Sequence, residues 1–306
     1  MHTLKIGITY LYTIFKYGYP PNPRDDFRAI AEIGKMGFRF LEMEGLGREH
    51  TNGIWKNRRA LKKCLQDHGI HVHNFCCVDP ELVSLNDKKR KAAYERFKRT
   101  AELGVFLGAE TLHLASYAPP VKYLKRSPYQ LGKNYSFAEA QKIRIPEGFS
   151  WSRIWDTLVE SCRFAADIGA KYERTVIMEP RVGEIICSVD SMIRLIKDVA
   201  KPNFKANFDT AHFSAQRENV PLALTKMAGL FANIHIADNN PVNTLHLAIG
   251  KGTIDWDEFF RILIKMNYQG YLGLDFGTKN SKKIDYGKSV SYLRKIVNKF
   301  GADLET

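Results

Sequence analysis

The 306-residue sequence contains no uninterrupted apolar run of the roughly 20 residues that a membrane-spanning helix requires, so no membrane segment is expected. It has no basic stretch followed by an apolar run and a small-residue cleavage site. The start Met1-His2-Thr3-Leu4-Lys5-Ile6-Gly7-Ile8 reads directly as a strand, and no secretory signal is expected. Disulfide chemistry is also poorly served. The five cysteines form no CxxC pair, and an odd number cannot all pair within one chain, which suits a reduced, cytoplasmic setting. Neither GxGxxG nor GxxxxGK[ST] occurs, so the usual phosphate-cradling loops are absent.

What is present is ordinary for a globular protein: 44% hydrophobic and 26% charged residues, enough to bury a large core. The formal charge of +13 stands apart. A positive field attracts nucleic acid or phosphorylated ligands, yet a lysine-rich solvated surface accounts for it equally directly. The basic clusters lack the interleaved aromatics of a base-stacking platform.

Short β-branched or aromatic runs alternate with longer helical patterns along the whole chain. Candidate strands are Leu4–Tyr10, Phe38–Met43, Ile70–Cys76, Thr111–Ala115, Arg174–Glu179, Phe204–Phe208, Phe231–Ala237 and Gly270–Phe276. The helical stretches between and after them run from Asp25–Met36 to Ser289–Lys299. Strict alternation of eight strands with eight helices predicts an α/β fold of the TIM (β/α)8 barrel type, one domain over residues 1–306. Gly37, Gly69, Gly108 and Gly169 stand where helices must turn back toward strands. A long insertion, about 116–149, follows the fourth strand; its aromatic and basic residues suggest a lid or partner-binding element.

In such a barrel the reacting groups stand where strands end and βα loops begin. Glu179, Asp209, His235 and Asp275 close four consecutive strands and are expected to converge. Three carboxylates and an imidazole make an oxygen-rich set suited to Mn²⁺, Mg²⁺ or Co²⁺, with Zn²⁺ also accommodated. Ionisable groups embedded in apolar strands are costly unless paired or metal-bound.

Met178-Glu179-Pro180, Asp209-Thr210-Ala211-His212, His235-Ile236-Ala237-Asp238-Asn239 and Gly250-Lys251-Gly252-Thr253-Ile254-Asp255-Trp256 together resemble the xylose isomerase-like TIM barrels over nearly the whole chain. These are the sugar isomerases and epimerases, with ketose 3-epimerase, inosose dehydratase and endonuclease IV branches. The resemblance implies a divalent metal, Mn²⁺ foremost, held by Glu179, Asp209, His235 and Asp275, and a sugar or polyol substrate. It further implies that Glu179 removes a proton beside the ketone, that a metal-stabilised cis-enediolate follows, and that Asp275 returns a proton from the other face. His212, His73, His113, Glu44, Glu184, Asp238, His246 and Lys251 are the candidate substrate contacts. Family members often form homo-oligomers.

The pattern departs from the epimerases in one place: Asp275 stands where they carry glutamate, one methylene longer, which leaves isomerase, dehydratase and lyase chemistry open beside epimerisation. The alternative from another class is an endonuclease IV-like AP endonuclease with several zinc ions, for which His73 and His113 and the net charge are suitable. Against it, the DxH motif expected after the seventh strand reads Thr244-Leu245-His246.

Overall fold

The computed structural model describes residues 2–124, 142–240, 245–277 and 286–306. In chain order its strands are β1 (His2–Ile8), β2 (Phe40–Leu46), β3 (His71–Val78), β4 (Thr111–Ala115), β5 (Lys122–Tyr123), β6 (Ile143–Arg144), β7 (Thr175–Glu179), β8 (Phe204–Asp209), β9 (Phe231–Ile236), β10 (Tyr271–Leu274) and β11 (Ala302–Glu305). Its α-helices are α1 (Leu11–Tyr17), α2 (Asp25–Lys35), α3 (Gly47–Asp67), α4 (Asp87–Leu107), α5 (Trp151–Lys171), α6 (Val189–Val199), α7 (Thr210–Ala215), α8 (Val220–Lys226), α9 (Trp256–Lys265) and α10 (Tyr286–Asn298).

Strands β1, β2, β3, β4, β7, β8, β9 and β10 pair in parallel in that order, and β10 pairs back to β1, closing a TIM barrel. Each strand presents one face to the barrel interior and the other to the helices, so both faces are apolar. The eight expected strands are therefore all present. β1 is shared: Lys5–Ile8 pair with Tyr271–Leu274 of β10, whereas His2–Lys5 pair with Ala302–Glu305 of β11. This last strand was not legible as part of the barrel, because four residues carry no period.

The helices cover the sheet through one apolar stripe each. α6 is typical, burying Val189, Met192, Leu195 and Val199, and opening on a Ser188/Ser191 capping box. Gly108 ends α4 in the left-handed region (φ 112°), as its position predicts. Gly169 does not end a helix. It lies inside α5, where a Cβ would meet Val176 at 2.6 Å, and Glu173 (φ 57°) makes the turn instead. Here glycine serves close helix–strand approach.

Two register irregularities matter for the site. Leu41 pairs with Val72 and Glu42 with Asn74, so His73 bulges; Ala206 pairs with Phe231 and Asn207 with Asn233, so Ala232 bulges. A bulge shifts the in–out alternation by one residue. His73 and Asn74 consequently both turn into the barrel.

Of the insertion after β4, residues 125–141 lie outside the described residues, and with them Lys125, Arg126, Tyr129, Lys133 and Tyr135. Its two flanks meet as the antiparallel pair β5–β6. Tyr117, at its root, is buried and ties the loop to β3, its hydroxyl donating to the Cys77 carbonyl at 3.3 Å and accepting from the Asp79 amide at 3.1 Å.

Candidate active site

At the C-terminal end of the barrel a cavity of about 290 Å³ is lined by Glu44, His113, Glu179, Arg181, His235 and Asp275 among others, with Leu11, Ile14, Leu46 and Val78 as apolar wall. A second cavity, about 400 Å³, lies outside the barrel between α3 and α4, and none of the strand-end carboxylates expected to converge lines it.

The centre is His235 on β9. Its Nδ1 lies 2.8 Å from Glu179 Oε1 and 3.8 Å from Asp209 Oδ2, and the ligand atoms of these three residues all fall within 4.8 Å of one another. Its Nε2 donates to Glu42 Oε2 at 2.8 Å. Glu179 Oε1 also accepts from Asn207 Nδ2 at 2.8 Å, and Asn207 accepts from Asn233 at 2.8 Å. A relay of two amides thus fixes the Glu179 carboxylate from β8 and β9.

Asp209 ends β8 and caps α7: Oδ1 accepts from the His212 amide at 2.8 Å, which turns Oδ2 toward His235. No hydrogen bond reaches Asp209 Oδ2. A buried carboxylate oxygen and an imidazole nitrogen facing a third oxygen fit a cation. Glu179, Asp209 and His235 accordingly offer ligands of the expected type. A second group, Asp209, His212 and His246, shares Asp209, with the rings of His212 and His246 4.9 Å apart.

Asp275 stands aside from both groups. Oδ1 accepts from Thr9 Oγ1 at 2.6 Å and Oδ2 lies 3.4 Å from His246 Nε2, while His246 Nε2 is 3.8 Å from Asp209 Oδ2. The shorter side chain, tethered by Thr9, leaves His246 between the two aspartates.

Electrostatics follow burial first. Burial pushes Asp275 up to about 6, with the His235 and His246 charges opposing. Burial would likewise raise Glu179, but the hydrogen bond and charge of His235 hold it well below the usual range. Burial acts to lower His235, and the charges of Glu42 and Asp275 outweigh it and raise its imidazole well above the usual value. Burial also drives Glu44 well above the ordinary carboxylate range, reinforced by the charges of Glu42 and Asp275.

The remaining candidates divide. His113 lines the cavity; its Nδ1 faces the Asn74 amide at 3.1 Å. His73 does not reach the cavity. It stacks on Tyr271 at 4.4 Å one layer below, and burial lowers it to about 3, so it is a neutral ring in the barrel interior. Glu184 accepts from Arg181 at 2.8 and 2.9 Å and from Ser116, and so holds Arg181, whose Nε is 4.0 Å from Glu179 Oε2.

Asp238 does not line the cavity. Its carboxylate accepts from the amides of Asn239, Gly250 and Ile254 and from Trp256 Nε1, folding the loop that precedes α9. Lys251, in that loop, is exposed and does not line the cavity. Glu42, Asn74, Asn207 and Thr9 were not anticipated. Glu42 had a signal: a carboxylate two residues before Glu44 in an otherwise apolar strand.

The model of the xylose isomerase-like TIM barrel matches residues 27–296, and the chain belongs to this family. A putative L-ribulose-5-phosphate 3-epimerase of Haemophilus influenzae is 23% identical over 260 residues, 81% of this chain and 82% of that protein. Hydroxypyruvate isomerase of Escherichia coli is 28% identical over 138 residues, 44% of this chain and about half (52%) of that protein. Among solved structures, the 3-keto-D-glucoside 4-epimerase of E. coli superposes with a TM-score of 0.72 at 18% identity, covering 96% of this chain and 100% of that one. A D-psicose 3-epimerase superposes with the same score and identity, covering 96% and 99%.

Proposed function

We propose that the protein is an isomerase-type enzyme, a divalent-metal-dependent sugar isomerase or epimerase that moves a proton next to a carbonyl. The observation that carries this reading is the convergence of Glu179, Asp209 and His235 at the barrel mouth, with a carboxylate oxygen among them that no hydrogen bond reaches. The names of its relatives, ketose 3-epimerases and hydroxypyruvate isomerase, agree with it.

Glu179, Asp209 and His235 would hold the ion, with Asp275 and His246 beside them. The bound ion would supply Lewis-acid polarisation of the substrate carbonyl. Glu179 is the base: the Asn207 amide and His235 fix Oε1, leaving Oε2, 4.0 Å from Arg181, on the Arg181 side of the carboxylate. Asp275, held by Thr9, the residue that follows the neighbouring barrel strand β1, stands as the second proton-carrying group. His113 and Glu44 line the cavity where hydroxyls of a sugar would lie. Leu11, Ile14, Leu46 and Val78 form the apolar wall of that space.

The test is elemental analysis of the purified protein beside Glu179→Ala and Asp275→Ala, followed by ketose incubation in D₂O. About one manganese, magnesium or cobalt ion per chain, with deuterium entering the carbon beside the ketone, is expected. A protein that takes up no divalent ion, or exchanges no carbon-bound hydrogen with any ketose, would refute the reading.

The Asp209–His212–His246 group favours a second reading, a multi-zinc phosphodiesterase. Two or three zinc ions per chain, with cleavage of an abasic-site duplex, would establish it instead.

A further inference from the structure

Glu42 lies on β2, is 2% exposed, and sits on the far side of His235 from Glu179 and Asp209. One oxygen, Oε2, accepts from His235 Nε2 at 2.8 Å and from the Asn74 amide, and lies 3.8 Å from His113 Nδ1. Asn74 is itself held, its Oδ1 accepting from Thr111 Oγ1 at 2.7 Å. The bulge at His73 turns Asn74 inward, so β2, β3, β4 and β9 meet at this one carboxylate.

Glu42, His113 and His235 could on spacing alone hold a cation of their own. The Asn74 amide excludes that: an N–H donor occupies the position between Glu42 and His113, where an ion would need a lone pair. The cluster is a hydrogen-bonded support.

We infer that Glu42 is the positioning residue of the site, holding the Nε2–H of His235 so that Nδ1 is the nitrogen presented to an ion between Glu179 and Asp209. A carboxylate only accepts, so in the ion-free site both ring nitrogens carry a proton, Nε2 toward Glu42 Oε2 and Nδ1 toward Glu179 Oε1, each at 2.8 Å. An ion among Glu179, Asp209 and His235 would take the place of the Nδ1 proton, while Glu42 keeps the Nε2–H. The other nitrogen is then the ligand atom, and the ring is locked in the orientation that Glu179 and Asp209 require. Partners of this kind raise ligand basicity, and their loss commonly costs about 10–100-fold in metal affinity. The inference rests on the metal reading proposed above and is independent of which sugar is used.

Two measurements test it, both with Zn²⁺ as the diamagnetic probe. In wild-type protein, ¹⁵N NMR of the His235 ring is expected to show Nε2 protonated and Nδ1 ion-bound. By chelator competition, Glu42→Leu is expected to weaken Zn²⁺ binding about 10–100-fold, and Glu42→Gln, which keeps an acceptor oxygen, to recover part of it. His235 bound through Nε2 would overturn the assignment, as would Glu42→Leu within about twofold of wild type. Glu42→Gln binding no better than Glu42→Leu would overturn it too, by assigning the effect to charge. Should Glu42→Leu fail to fold, the wild-type tautomer decides alone. Wild-type protein that takes up no ion refutes both this inference and the metal reading. A normal tautomer and affinity series without sugar turnover leaves this inference standing and removes only the reaction.

Discussion

The two ends of the barrel use the same residue types to opposite purpose. At the N-terminal end, His71 Nε2 and Tyr271 OH both meet Glu110 Oε1 at 2.7 Å, and His73 stacks on the Tyr271 ring. His71 and Glu110 are half-exposed and pair with each other. At the C-terminal end, Glu179, Asp209 and Asp275 are each 7% exposed or less and crowd around two histidines, with Asp209 Oδ2 lacking a hydrogen bond. A histidine beside a glutamate therefore means little in itself. What separates the ends is burial: three buried carboxylates stand close together, one with an oxygen that no hydrogen bond reaches, which is costly unless a cation joins them.

The largest effect expected on that contrast is chemical. Glu179→Gln keeps the volume of the side chain and removes the base, and should lower kcat by about 10²–10⁴-fold with the melting temperature little changed. Loss of fold rather than of turnover would make the mouth a structural site like the floor.

Asp238 sharpens the comparison from the other side, as a mouth residue with a floor-like role. Its four donors would be left buried without an acceptor in Asp238→Ala, for a loss on the order of 3 kcal/mol or more in denaturant unfolding. A stable variant with impaired substrate binding alone would return it to the substrate contacts.

Asp26 tests buried charge away from both clusters. It accepts from Tyr10 OH, its Oδ2 has no hydrogen bond, and burial pushes its carboxyl up to about 7. Between the ordinary carboxylate value and about 7 the folded state binds the extra proton, so this contribution is complete at low pH and is lost as pH rises through about 7. Asp26→Asn should flatten that fall in unfolding free energy between pH 4 and 8; an unchanged pH profile would place the ionisation elsewhere.

The smallest effect belongs to the floor. The His71 hydrogen bond holds Glu110 low, but both groups are half-exposed and solvent screens them. Glu110→Gln should cost less than about 1 kcal/mol and leave turnover intact. A large kinetic effect would erase the distinction between the two ends.

Much of this was readable in one dimension. The alternation of β-branched runs with helical stretches determined eight strands, their order and the strand-end positions of Glu179, Asp209, His235 and Asp275, because periodicity and helix ends are local properties. Local reading failed where spacing is broken. His73 looked like a strand-end substrate contact, but the bulge opposite Leu41 and Glu42 drops it a layer and raises Asn74 into its place. Asp238 sits beside His235 in sequence, yet its carboxylate faces the loop closing on Trp256.

The sequence by itself determined the barrel, the end at which charge collects and the ligand types on offer. Only the tertiary structure decided that His246 stands between Asp209 and Asp275, that Thr9 tethers Asp275 and that Glu42 backs His235 from across the barrel. Those pairs are separated by up to 266 positions along the chain, and closure of β10 onto β1 together with two bulges is what brings them into contact.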